Sequence, residues 1–185
     1  CSPWDWNGPY PKPWGTCIIK PHDPRRWLMD QRLHVYALSS LAAPEELAGG
    51  TAVVIDVLRA CTTIVHALEA GAIEVIPCLE VDEARAIAAQ YPAQDVVLGG
   101  ERQGLPVAGF HLGNSPSEYT PDRVGGRTLV FTTTNGTRAM FQCRYAKRVL
   151  IGAFVNATAV FGQLVGQEQI HLICAGTANQ VGRDD

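Results

Sequence analysis

The run Val53-Val54-Ile55-Asp56-Val57-Leu58-Arg59-Ala60-Cys61-Thr62-Thr63-Ile64 constrains this chain more than any other stretch. Val53, Val54 and Ile55 are β-branched, stiff at χ1, and favour a strand. No polar residue alternates with them, so the strand they form is buried on both faces, as in a parallel sheet. The apolar run ends at Asp56. From Ala60 onward Ile64, Ala67 and Leu68 recur at helical spacing. The stretch therefore reads as strand, turn and helix, with a carboxylate and a guanidinium at the turn. In an open α/β sheet, ligands bind in that position, outside the carboxyl ends of the strands.

The same pattern recurs down the chain. Strands are expected over residues 33–38, 51–56, 73–76, 95–98, 128–131, 148–151 and 169–174. Helices are expected over 43–47, 60–70, 138–145 and 156–164, with another capped by Asp82 and striped by Ala84, Ile87, Ala88 and Tyr91. Residues 103–126 form a long connection rich in Gly, Pro, Asn and Ser; connections of that length in compact domains are usually functional. Short apolar strands alternating with helices indicate an α/β protein, layered α/β/α around a largely parallel or mixed sheet. Right-handed crossovers would bring the strand-to-helix turns to one sheet edge.

The 185 residues, 46% apolar and 18% charged, suit one globular domain with a sizeable core. A net charge of −3 without a basic block argues against nucleic acid as a partner. No apolar run approaches the roughly 20 residues that span a bilayer, and no signal-peptide pattern opens the sequence. A cytoplasmic location without membrane contact is the expectation, and homodimerisation is left open. The six cysteines form no C-x-x-C pair and no zinc spacing with histidine, and read as small buried hydrophobes.

Both ends depart from the pattern. Residues 1–28 hold all four tryptophans and six of the twelve prolines, without helical or strand periodicity. They read as an extension outside the fold, or alternatively as a Pro/Trp-rich docking arm. The folded part is expected over 29–185, with its carboxy-terminal portion missing, because the chain stops at Asp185 where another helix would start.

The turns carry chemistry-bearing residues. Thr132-Thr133-Thr134-Asn135-Gly136-Thr137 stands just before a helix, where backbone N–H groups and hydroxyls suit an anion such as phosphate or sulfonate. The alternative is an ordinary Thr cap on an Asn-Gly turn. Asp56, closing an apolar strand, requires a partner or a metal, because burying a lone carboxylate is costly. Arg59 can pair with it or bind an anionic substrate through its planar fork. Glu101, in G-G-E-R-Q-G, comes from a different strand end, and two carboxylates suit Mg²⁺. Together these suggest metal-assisted hydrolysis of a phosphoester, with either metal-bound water or Asp56 as nucleophile. His66 and His171 read as structural, His111 is undecided, and Cys174 lacks a histidine that would activate it.

V-V-I-D-V-L-R-A-C-T-T-I, G-G-E-R-Q-G, G-F-H-L-G-N-S-P-S-E-Y-T, T-L-V-F-T-T-T-N-G-T-R-A and L-I-C-A-G-T occur in this order. In these motifs, from about residue 33 to 185, the chain resembles the 2-phosphosulfolactate phosphatase family. The resemblance implies a Mg²⁺-dependent phosphatase converting 2-phospho-3-sulfolactate to sulfolactate and phosphate, a step towards coenzyme M. It implies Asp56 and Glu101 as metal ligands, and Asp56 and Arg59 as the catalytic pair. Thr62, Thr63, Asn114, Ser115, Thr133, Thr134, Asn135, Gly136 and Thr137 would line the substrate pocket. Family members are longer, continuing beyond L-I-C-A-G-T through an acidic stretch whose start Arg183-Asp184-Asp185 resembles. The competing readings are a non-catalytic or truncated anion-binding homologue and a phosphatase for another small phospho-acid.

Overall fold

The computed structural model describes residues 31–182, so the expectations for residues 1–28 and for Arg183-Asp184-Asp185 lie outside the described residues. Among the described residues eight strands form two sheets. The first has the order β1(Arg32–Tyr36)-β8(Gln169–Cys174)-β2(Thr51–Ile55)-β7(Arg148–Gly152), all parallel. The second has the order β3(Glu74–Cys78)-β6(Thr128–Thr132)-β4(Val96–Arg102)-β5(Leu105–Pro106). It is parallel except for the short β4–β5 hairpin. The α/β class is as the sequence indicates, but the strands divide between two sheets and do not line one edge.

Two helices join the sheets. α1 (Ala60–Glu69) lies against β3 and β7, and α4 (Gly136–Gln142) against β2 and β3. Ala60, Cys61, Ile64 and Ala67 of α1, Ala139 and Met140 of α4, and Cys143 just after α4 share one buried cluster with Val54 and Ile173 of the first sheet and Leu129 and Phe131 of the second. The small side chains Ala60, Ala67 and Ala139, all fully buried, let helices and strands approach closely. On the other face of the second sheet, α2 (Val81–Ala88) seats Ala84, Ile87 and Ala88 against Ile76, Val96 and Val130. Two further short helices are α3 (Pro121–Val124) in the long connection and α5 (Ala157–Leu164) against β7.

Local boundaries correct three expectations. Asp82 does not cap α2; the Glu83 carboxylate instead accepts the N–H groups of Leu79 and Glu80, at 2.9 and 3.3 Å, while Asp82 pairs with Arg85. A Glu at that place reaches back over the helix start more readily than the shorter Asp. β4 continues through Gly99 and Gly100 to Arg102, where the sequence suggests a turn. A side chain at Gly99 would collide with the Tyr119 hydroxyl. At Gly100, with φ +133°, one would strike the Thr132 carbonyl of the paired strand. α4 starts at Gly136, two residues before its predicted start.

Cys61, Cys78 and Cys143 are buried and Cys174 is half-buried, in keeping with their reading as small hydrophobes. Burial pushes the Cys78 and Cys143 thiols up to about 12, so neither is a ready nucleophile at neutral pH. Among the described residues no helix is long and apolar enough to cross a membrane.

His171 is structural, as expected, but in an unusual setting. It is 1% exposed, neither ring nitrogen has a hydrogen-bond partner among the described residues, and its ring stacks on His34 with centroids 5.0 Å apart. Burial first, and the neighbouring His34 second, hold its pKa below the ordinary value, with Glu46 opposing. The unfolded chain therefore takes up a proton near pH 6.5 that the folded chain resists. Stability is predicted to fall as pH drops below about 6.5, and His171→Phe to flatten that limb of a denaturation-midpoint-against-pH curve. An unchanged slope in the variant would show that His171 does not carry the linkage.

Candidate active site

Asp56 follows the last residue of β2 and is 7% exposed. Its Oδ1 accepts the N–H of Ala60 at 3.1 Å, which fixes the carboxylate over the start of α1. Arg59, just before α1, is exposed and forms the rim of the same turn. The Asp56 Oδ2 points at Gly136, the first residue of α4: a Cβ there would lie 2.6 Å from that oxygen and 2.5 Å from the Ala60 Cβ. The Thr133 Oγ1 would be 3.3 Å from the same point. Glycine at 136 thus lets a carboxylate of the first sheet and a hydroxyl of the second face each other. This is where the two sheets converge.

The threonine-rich turn is clamped from both sides by β4. Glu101, 7% exposed, accepts the Thr134 N–H on Oε1 at 2.6 Å. Its Oε2 accepts the Thr134 hydroxyl at 3.0 Å and the Gly104 N–H at 2.6 Å. Arg102 donates to the Thr132 Oγ1, to the Leu79 carbonyl and to the Glu101 carbonyl. Inside the turn, Thr137 N–H donates to Thr133 Oγ1 at 3.1 Å, and Thr137 Oγ1 donates to the Thr133 carbonyl at 2.7 Å. The turn is a rigid piece of framework with a polar mouth beside Asp56. Preorganised donors of this kind stabilise charge without reorganising at the moment of reaction. Among the described residues no group of three His, Cys, Asp or Glu side chains gathers as a metal cage.

The family model described as 2-phosphosulpholactate phosphatase matches residues 37–185. The chain belongs to this family. It is 50% identical over 142 residues to the probable 2-phosphosulfolactate phosphatase of Symbiobacterium thermophilum, covering 76% of this chain and 61% of that protein. It is 44% identical over 142 residues to the protein of the same name from Clostridium acetobutylicum, covering 76% and 60%. The Caldanaerobacter subterraneus protein of that name is 39% identical over 154 residues, covering 83% and 64%. The chain thus spans about three fifths of the length of the first two of these relatives.

The other family-motif residues fall around this centre. The Thr63 hydroxyl, fully buried, donates to the Asn114 carbonyl at 3.3 Å and ties α1 to the long connection. Asn114 is 9% exposed, and its side-chain oxygen has no partner among the described residues. Thr62 donates to the Val57 carbonyl at 2.6 Å, and Ser115 pairs with Ser117 at 3.0 Å. Asn135 accepts the Ala178 N–H at 3.3 Å, which attaches the turn after β8 to the mouth of the site. His111 is structural: its Nδ1 accepts the Leu98 N–H at 2.9 Å along β4. Sequence reasoning missed the bracing by Arg102 and the support from Tyr119, whose hydroxyl donates to the Gly113 carbonyl at 2.6 Å beneath Gly99. The G-G-E-R and G-N-S-P-S-E-Y motifs held the signal, but it becomes legible only when β4 and the connection are paired.

Gly136→Ala is predicted to destabilise the fold by about 1–3 kcal/mol, the usual cost of forcing a methyl into a packed site. Denaturant titration checks this, and a midpoint equal to wild type would mean that Asp56 and α4 do not meet as described.

Proposed function

We propose that this chain is the phosphoester-hydrolysing part of a 2-phosphosulfolactate phosphatase, releasing phosphate from 2-phospho-3-sulfolactate and leaving 3-sulfolactate. The observation that carries the proposal is the meeting of Asp56 with the Thr133–Thr137 turn at Gly136, which packs a carboxylate directly against a turn rich in hydroxyls and N–H groups. The names of the relatives support the same chemistry. Arg59, exposed at the rim, is assigned the second anionic group of the substrate, for which its planar fork is suited.

The donor set fits Mg²⁺. This ion prefers hard oxygen ligands, keeps water, and is held by one or two carboxylates together with substrate phosphate. Asp56 would be one ligand and Glu101 Oε1, which accepts a single hydrogen bond, the other. When bound, the ion would neutralise phosphate charge and lower the pKa of a coordinated water. The chain's own residues then do the rest. The turn and Arg59 orient the ester, Gly136 lets the turn pack closely against Asp56, and the Glu101 and Arg102 hydrogen bonds hold the turn in place. A place in coenzyme M synthesis and a cytoplasmic location belong to the same proposal.

The test is phosphate release from racemic phosphosulfolactate, with Mg²⁺ or with EDTA. Metal-dependent release is expected, and Asp56→Asn should reduce it by about 100-fold or more, the scale of losing a charge-stabilising catalytic group, while the fold persists. Release that is insensitive to EDTA would remove the metal from the proposal. Full activity in Asp56→Asn would move the site elsewhere.

A further inference from the structure

β1 stands at the edge of the first sheet, and among the described residues β8 is the strand it pairs with. Arg32 to Val35 are all exposed. Besides its backbone bonds, β1 is joined to β8 by a stack of rings. His171 of β8 faces its register partner His34 at 5.0 Å between centroids, and Tyr36 at 6.0 Å. Gly50 closes on the same ring: a Cβ there would lie 2.7 Å from the His171 Nε2. The ring is thus walled in, with both nitrogens unpartnered among the described residues. A proton on it would place an unsolvated charge in the wall between two strands. The titratable groups facing it are His34 and Tyr36 from β1 and Glu46 from the short 3-10 helix Pro44–Leu47. Burial first, and Glu46 second, raise the Tyr36 pKa, so that phenol stays neutral in the acid range. Glu46 favours a charged imidazole at His171, but less than burial and His34 oppose it. Ala52 of β2, in register with His171, and Gly50 and Gln169 beside the ring do not titrate.

The chain leaving β1 runs straight to the turn after β8. The Leu38 side chain lies against Gly176, where it leaves no room for a Cβ. The Ser40 hydroxyl donates to the Asn179 Oδ1 at 2.7 Å. Thr177 and Gln180 close this turn with two backbone bonds of 2.9 Å, and its Ala178 N–H reaches Asn135 at the mouth of the candidate site. β1, residues 38–40 and the turn 176–180 are therefore one connected body, resting on His171 at one end and on Asn135 at the other. We propose that this body is a proton-released strap: when His171 takes up a proton, β1 leaves β8 and the turn at the mouth of the site loosens with it. Of the walls around the ring, β1 moves at the least cost. The strands on the other side belong to the buried cluster through Ile173 and Val54, whereas β1 joins it only through partly buried Tyr36. Elements with few buried contacts open first. A charged His34 at 5.0 Å adds like-charge repulsion to the need of His171 for water. Once opened, the imidazole titrates near its ordinary pKa of about 6.5, so the strap is closed above that pH and released progressively below it. The pH dependence of the whole fold thereby acquires a place, and the inference stands apart from the phosphatase reading.

Amide hydrogen exchange on the 185-residue chain, compared at about pH 7.5 and about pH 5.5 after correction for the intrinsic exchange rate, tests this. Protection of residues 32–36 and 176–180 is expected to fall about tenfold at the lower pH, the effect of one proton taken up with a pKa of about 6.5 in the opened form. α1 and α4 should keep theirs. His171→Phe keeps a ring in the stack and removes the titration, so the loss of protection should vanish. Should that variant fold poorly, the imidazole C–H shifts of His171 in wild type give the second measurement. Their titration midpoint should coincide with that of β1 exchange. Unchanged protection of β1 at the lower pH, or a loss spread evenly over β1, α1 and α4, would overturn the strap. So would a loss that persists in a folded His171→Phe, or a midpoint of β1 exchange apart from that of His171. A loss confined to residues 32–36, with 176–180 unchanged, would overturn its link to the site.

Discussion

The approach of Asp56 to Gly136 is the contact on which the rest of this structure depends. Two sheets, each parallel in its main part, would have separate carboxyl edges with a few polar turns on each. α1 and α4 pack between strands of both sheets, and their first residues, Ala60 and Gly136, come within one methyl's width of each other. At that spacing the carboxylate ending β2 and the hydroxyl following β6 share a space. Any side chain at 136 would separate them. The small residues that line the seam, Ala60, Ala67 and Ala139, serve the same closeness, so the site is a consequence of how tightly the core closes.

Polar order around this seam is largely internal. Among the described residues Glu101 has no formal cationic partner, yet two N–H groups and a hydroxyl point at it, and such donors stabilise a carboxylate in a low-dielectric setting. Arg102 does the reverse, offering donors to two carbonyls and a hydroxyl at three strand ends. The result is a turn whose shape does not wait for a ligand. Preorganisation of that sort favours a transition state over a loosely bound ground state. It also gives Glu101 a framework duty beside any duty as a metal ligand.

Much of this was legible in the sequence. Buried β-branched runs such as Val53-Val54-Ile55 announce parallel strands, and Asp56, directly after β2, and Thr132, the last residue of β6, stand at strand ends as their positions in the sequence indicate. The division into two sheets was not legible, because hydrophobic runs specify that a strand is buried but not which strand lies beside it. The extent of β4 was missed for a related reason. Gly99-Gly100 has the composition of a turn, and only the close approach of Tyr119 and of the Thr132 backbone explains the glycines as strand residues. The roles of individual threonines were likewise hidden: a T-T-T-N-G-T string lists hydroxyls, whereas the acceptors that occupy them lie on Cys78 and Glu101, far away in the chain.

The central claim is that one anion site spans both sheets at Asp56 and Gly136. Titrating inorganic phosphate into the isotopically labelled chain and following backbone amide shifts tests it most directly. The account predicts that amides of residues 59–63, after β2, and of 133–137, after β6, shift together with one saturation curve. Shifts confined to one of the two turns, or two different curves, would contradict it.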